Sequence, residues 1–300
     1  MTEAPFRVET RRIRNASEYR HFHQIRTAGF SEWYVGPAAR SPRLGQARLN
    51  AVATLLPNFC HQVRGANDQP VAYLATAPGF WCGETQALHD LHYYDDVLKL
   101  PGRKGKLLVG LQFLADLTGG MPGPIRRRIA AEATRKFSAC NGIVLVAMTV
   151  DPAFQGQNLP RLLIESVVQK ARTLGLNHVI APFRPTGYGK HKADQGLTHT
   201  NERFAQYCQS KTPEGLPQDP WLRAVSRMGA EFLKVEPRSY RISKRISVFE
   251  SFRKRHKPND WYSPSEHVWE CGETPTWYVD PGRRTVTSVE PNLWGRIPVR

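Results

Sequence analysis

The sequence predicts an α+β protein built around a parallel strand–helix–strand unit, and three observations predict it. Ile143-Val-Leu-Val-Ala-Met-Thr-Val150 is a continuous apolar run with the β-branched content of a strand buried on both faces. Leu163, Ile164, Val167, Val168, Ala171 and Leu174 then recur at helical spacing until Gly175 stops the helix. His178-Val-Ile-Ala-Pro182 resumes a strand. Two apolar strands joined through a helix of that length lie parallel, and the loop after the first opens at its carboxyl end, where ligands bind in α/β units.

The remaining elements follow in chain order. Phe6–Ile13 alternates loosely and predicts a first strand, and Asn15-Ala-Ser-Glu18 offers a capping box into a helix over Tyr19–Gly29. A second helix is predicted over about Leu44–Leu56. Phe59–Val63 and Val71–Ala77 flank the turn-forming Gly65-Ala-Asn-Asp-Gln-Pro70 and predict a hairpin. Residues 84–141 form an irregular insertion, with helices predicted over Leu107–Leu117 and Ile125–Phe137 around the breaker Gly119-Gly-Met-Pro-Gly-Pro124. Beyond the central unit, Trp221–Met228 predicts a short helix closed by Gly229, and Phe232–Val235 a further strand. The expected division is a domain over residues 1–235 and a basic extension over 236–300, packed on the core, which holds Trp261, Trp269, Trp277 and Trp294.

Composition narrows the class. With 40% hydrophobic and 23% charged residues the 300-residue chain reads as a folded soluble protein. Forty-two Lys and Arg against 26 Asp and Glu leave a formal charge of +16, which favours anionic partners such as nucleic acid, an acidic carrier protein, an anionic membrane surface or a polyphosphate cofactor. The five scattered cysteines form no CxxC pair, and the first residues lack the apolar run of a signal peptide, so the expected location is a reducing cytoplasm with no membrane span. His21 with His23, and His89 with His92, have no third ligand at metal spacing, so no metal site is predicted. Walker, nucleophile-elbow and HExxH patterns are absent.

The loop Val150-Asp-Pro-Ala-Phe-Gln-Gly-Gln-Asn-Leu-Pro-Arg161 joins a buried strand to a helix amino terminus, where N–H groups and the helix dipole favour an anion such as a pyrophosphate. Gln155 and Gln157 add donors, Asn158 tolerates the left-handed conformation, and Arg161 adds positive charge. An ordinary strand-to-helix connection accounts for the same features, so spacing alone leaves both readings open. The stretch Val150-Asp-Pro152 followed by Gln155-Gly-Gln-Asn158-Leu-Pro160 resembles the signature of the GNAT superfamily of acyl-CoA-dependent N-acyltransferases. Element order carries the resemblance over about residues 6–235. Ala181-Pro-Phe-Arg-Pro185, Asp219-Pro-Trp-Leu-Arg223, Met228-Gly-Ala230, Pro237-Arg-Ser239 and Val289-Glu-Pro-Asn-Leu-Trp294 are similar to a bacterial branch with an extended carboxyl end. Two positions depart: Asn158 stands for the first glycine, and Pro160 at the second removes a backbone donor.

The resemblance implies a mixed, mostly antiparallel sheet and an acyl-CoA co-substrate, most simply acetyl-CoA. By resemblance it is held by Met148, Val150, Gln155, Gly156, Gln157, Asn158, Leu159 and Arg161. The implied reaction is transfer of the acyl group to an amine of a small molecule, a peptide, or a carrier- or tRNA-bound amino acid. The family's tyrosine acid is missing, since the later helix offers only Val225 and Ser226 where it would stand. Tyr188 and His191, in the Gly-punctuated stretch Arg184–Lys192, are the substitutes expected by resemblance beside the thioester, although isolated Tyr and His in loops are mostly not catalytic and a solvated basic turn is the commoner origin of such a stretch. Two other functions fit the same residues: a catalytically inactive binding module for RNA or an acidic protein, and an acyl-CoA decarboxylase. Arg126–Arg128 and Arg253–Arg255 are the basic runs expected to meet an acidic partner; nucleic acid ranks behind acyl-CoA as the anion.

Overall fold

The structure, a computed structural model, describes residues 6–10, 14–29, 60–79, 81–85, 88, 124 and 140–299. The helix expected over 44–56, the two in the insertion, the His89/His92 pair and Arg126–Arg128 lie outside the described residues. The chain divides into two compact units: residues 1–81, 94–180 and 298–300, and residues 82–93 with 181–297.

In the first unit the strands run in the order β1 (Arg7–Thr10), β2 (Cys60–Arg64), β3 (Pro70–Gly79), β4 (Gly142–Val150), β5 (His178–Phe183, whose last three residues belong to the second unit). Pairing is antiparallel except between β4 and β5. Helix α1 (Ala16–Gly29) is capped as predicted, the Glu18 N–H donating to Asn15 Oδ1 at 2.9 Å. Its apolar residues Tyr19, Phe22 and Ile25 are buried with Tyr73 of β3. The Glu18 carboxylate accepts from buried Arg64, which also bonds Glu9, so one guanidinium ties β1, β2 and α1 together. Helix α2 (Leu159–Thr173) buries Leu159, Leu163, Ile164, Val167 and Ala171 against the sheet and ends where Gly175 adopts φ +66. The expected βαβ unit is therefore present.

The second unit holds α3 (Tyr188–Asp194), α4 (Asn201–Gln209), α5 (Pro220–Ser226), β6 (Glu231–Arg245), α6 (Ile246–Arg255), β7 (Tyr262–Ser265), β8 (Val268–Glu270), β9 (Thr276–Asp280) and β10 (Thr285–Pro298). Strand β10 pairs antiparallel with β6 on one side and β9 on the other, and β8 and β7 continue from β9. The strand expected over Phe232–Val235 is 15 residues long and crosses residue 235 without a break. Charge concealed the strand: Arg241, Ser243 and Arg245 take its exposed alternation while Ile242 and Lys244 are more covered. The face bearing Trp277, Val286 and Ser288 is buried, and Trp277 packs on Trp261 with ring centroids 4.7 Å apart. This apolar aromatic packing, which includes Phe249 and Phe252 of α6, explains why the Trp-rich extension is ordered.

Candidate functional site

The residues expected at the site fall into two arrangements, one in each unit. In the first, β4 pairs with β5 only over Gly142–Val144, where Val144 stands opposite Ile180. On its other side β4 pairs with β3 along its whole length, from Gly142 opposite Gly79 to Val150 opposite Ala72, with Val146 as an extra residue between Leu145 and Ala147. Beyond Val144 the second edge of β4 carries no ladder among the described residues. Val146, Ala147 and Met148 are half-buried there, whereas Ile143–Leu145 are buried. The edge residues expected at the co-substrate, Met148 and Val150, thus sit on a stretch of strand with no ladder partner on one side among the described residues.

The chain leaves β4 through an anchored turn: the Asp151 N–H donates to Val71 O at 2.8 Å, and Asp151 Oδ1 accepts from the Ala153 N–H at 3.0 Å. His21 of α1 bonds Pro70 O at 2.9 Å and stands 3.5 Å from Asp151. Gln155, Gly156, Gln157 and Asn158 are all exposed ahead of α2. Gly156 has φ +81, which a Cβ would oppose, and Asn158 holds φ 58 as the residue that caps the helix, so both positions use the conformation the sequence reading assigned to Asn158. Leu159 is buried and anchors the loop, while Pro160 occupies the first turn without strain. Arg161 is exposed, with its Nε 2.7 Å from Glu165, so its charge is shared along the helix as well as offered to the loop.

In the second unit Tyr188 and His191 lie on α3 rather than in an open turn. The Gly187 N–H donates to Asp219 Oδ2 at 2.7 Å, which fixes the start of α3, and Asp219 Oδ1 caps α5 through Trp221 and Leu222. Tyr188 is 1% exposed, its hydroxyl 3.1 Å from His199 Nδ1 and its ring edge-on to Phe204. His191 is half-buried, its ring 4.9 Å from that of Tyr207, whose hydroxyl donates to Asp219. Burial, with the Glu270 charge adding to it, raises the Tyr188 phenol well above its ordinary range. Burial, with Lys192 adding to it, pushes His199 down to about 4. Val225, where the usual acid is missing, is fully buried in α5.

Several polar groups here escaped the sequence reading. Lys192 Nζ donates to Glu270 Oε2 at 2.6 Å, and Glu270 also accepts from the His199 N–H and the Tyr262 hydroxyl. After β5, Arg184 Nε stands 3.7 Å from Glu290, and His256 bonds Glu273 at 2.7 Å. Burial works to raise the Glu273 pKa, but the His256 bond and nearby charges outweigh it and hold the carboxyl below its ordinary value. The signal available for Glu290 and Asn292 was the Val289–Trp294 segment; both side chains are buried, on either side of a register shift in which Pro237–Ser239 of β6 face Pro291 alone.

The half-buried His199 has a consequence for stability. Its folded-state pKa lies below the unfolded one, so the unfolded chain binds the extra proton between about pH 6.5 and 4, and stability falls as pH drops through that window. Urea unfolding at pH 7 and pH 4.5 is expected to differ by about 2 kcal/mol more in the wild type than in His199→Gln. An equal pH response would show that His199 does not contribute.

No family model and no curated protein matches the sequence. Solved structures do match. The loading GNATL domain of CurA from Lyngbya majuscula aligns with TM-score 0.52 at 13% identity, covering 98% of this chain and 98% of that one. A GphF GNAT-like decarboxylase in complex with isobutyryl-CoA aligns with TM-score 0.51 at 14% identity, covering 98% of this chain and 100% of that one. At such identities the agreement is one of fold, and it extends through β6–β10 as well as the strand–loop–helix unit. The order of elements, the parallel β4–β5 pair and these two end-to-end matches give this chain the GNAT fold.

Proposed function

We propose that this protein binds an acyl-CoA and transfers its acyl group, most simply acetyl, to an amine of a small molecule, peptide or carrier-borne amino acid. The observation that carries the reading is the β4 edge beyond Val144, which runs without a ladder partner into a loop and helix amino terminus suited to a pyrophosphate. Gln155, Gly156, Gln157, Asn158, Leu159 and Arg161 would hold the diphosphate, with Pro160 costing one donor, and the backbone of Met148 and Val150 would hold the pantetheine arm. The thioester carbonyl is attacked by the neutral amine; the carbon–sulfur bond breaks, the amine proton passes to a base, and the thiolate leaves as CoA. Tyr188 and His191 are the proposed acid–base groups.

Decarboxylation of an acyl-CoA bearing a second carboxylate is the other reading, and the end-to-end match to a GNAT-like decarboxylase favours it. One experiment separates them. With acetyl-CoA at millimolar concentration and a dissociation constant of about ten micromolar, stability should rise by about 2.7 kcal/mol. Mass spectrometry then follows acetyl-CoA with an amine panel, and malonyl-CoA alone. Release of CoA with an acylated amine supports transfer, and loss of one CO2 from malonyl-CoA supports decarboxylation. Absence of any thermal shift or binding heat would overturn both and leave a binding module.

A further inference from the structure

The loop before α2 accounts for one anionic ligand, but it lies far along the chain from the densest basic stretch. Between Glu231 and Lys257 there are nine Lys and Arg against three acidic residues. The β6–β10–β9 register sorts part of this charge onto one face. Arg241 stands opposite Val289, Ser243 opposite Thr287, and Arg245 opposite Thr285; across β10, Thr287 stands opposite Tyr278. Directly paired residues share a face, so Arg241, Ser243, Arg245, Thr287 and Tyr278 project to the same side. The other face, with Trp277, Val286 and Ser288, is the buried one. On the outer face Arg241, Ser243 and Arg245 are exposed, and Tyr278 is 43% exposed, large for a ring in mid-sheet. Burial and the Glu270 charge raise the Tyr278 phenol, and the charge of Arg238, which is exposed as well, opposes them. Two acidic groups share this face: Asp280, which is engaged by Arg283 and accepts from its N–H at 2.9 Å, and Glu270, which follows Val268 by two residues and is buried against Lys192.

We propose that this face binds single-stranded nucleic acid. Alternate residues along β6 place the Arg241 and Arg245 side chains about 13 Å apart on one side of the strand, a row that follows an extended phosphate backbone. The Ser243 and Thr287 hydroxyls, 2.7 Å from each other, lie between the two arginines and are suited to donate to phosphate oxygens. Two strands away the exposed Tyr278 ring offers a stacking surface, and stacking on a sheet-borne aromatic beside basic side chains is how single strands are held without sequence readout. An acidic protein would meet the same charge, but the face lacks the apolar centre that protein interfaces bury, Val268 and Val289 being half-covered. The inference does not depend on the loop taking an acyl-CoA.

The test is fluorescence anisotropy of the full chain with a labelled oligo-uridine of about 16 nucleotides, against a duplex, polyglutamate and anionic vesicles. Arg241→Glu with Arg245→Glu is expected to weaken oligo-uridine binding at least tenfold and to flatten the salt dependence. Tyr278→Ala is expected to weaken it about tenfold while leaving any polyglutamate binding unchanged, and Tyr278→Phe should retain binding, because the ring and not the hydroxyl stacks. Melting curves of the same variants check that the fold is intact. Wild-type binding that is no tighter for oligo-uridine than for polyglutamate or vesicles would overturn the proposal, as would indifference to Tyr278→Ala; the first result assigns the face to an acidic protein or membrane.

Discussion

Replacing Lys192 by methionine is expected to destabilise the protein by about 3–5 kcal/mol. Both side chains of the Lys192–Glu270 pair are 2% exposed, and the ammonium lies 2.6 Å from the carboxylate. Methionine matches the length of the lysine stem, so little packing is lost. What is lost is the cation, and Glu270 is left as a buried charge held only by neutral donors from His199 and Tyr262. A second substitution, Glu270→Gln, removes that charge yet keeps an oxygen for the same donors. The double variant should therefore recover a substantial part of the loss, with a coupling of about 2 kcal/mol or more read from urea unfolding. A cost below about 1 kcal/mol for Lys192→Met would mean that solvent reaches the pair and that it behaves as a surface bridge.

This pair marks the limit of what sequence reasoning reaches. The partners are 78 residues apart, and nothing in the local pattern around Lys192 distinguishes it from Lys190, which is exposed and bonds Asp194 one turn along. Periodicity and caps are local, so β4, α2, the hairpin over β2 and β3, and the Asn15 cap were legible. The loop Gln155–Arg161 was legible for the same reason, because its chemistry follows from strand, turn and helix start in sequence order. Strand β6 was read too short because its outward positions carry arginine, and a half-exposed strand of alternating charge looks like a solvated run. Tyr188 was placed in a loop because Gly187 and Gly189 flank it. In fact Gly189 is required by close packing: a Cβ there would lie 2.5 Å from the Gly272 carbonyl oxygen, a contact made through tertiary structure alone.

Tyr188→Phe is expected to lower kcat with acyl-CoA by about a hundredfold or more, with KM for the acyl-CoA nearly unchanged. The substitution removes one hydroxyl and keeps the ring that packs on Phe204 and Tyr207, so a melting temperature close to the wild type separates lost chemistry from lost fold. His191→Ala tests the second group; full activity there with a slow Tyr188→Phe assigns the proton to the phenol. The pH profile distinguishes donation from positioning. Burial first, and the Glu270 charge second, hold the Tyr188 phenol protonated far above the ordinary tyrosine value of 10.0. A group whose folded pKa is raised keeps its proton as pH rises, so with Tyr188 as acid kcat should not decline on the alkaline side up to about pH 10. An alkaline decline near pH 8 that persists in Tyr188→Phe would place the acid on another residue. The bond between the Tyr188 hydroxyl and His199 Nδ1 orients the phenol whichever tautomer the neutral imidazole adopts, and removing that partner by His199→Phe should slow turnover less than removing the hydroxyl itself.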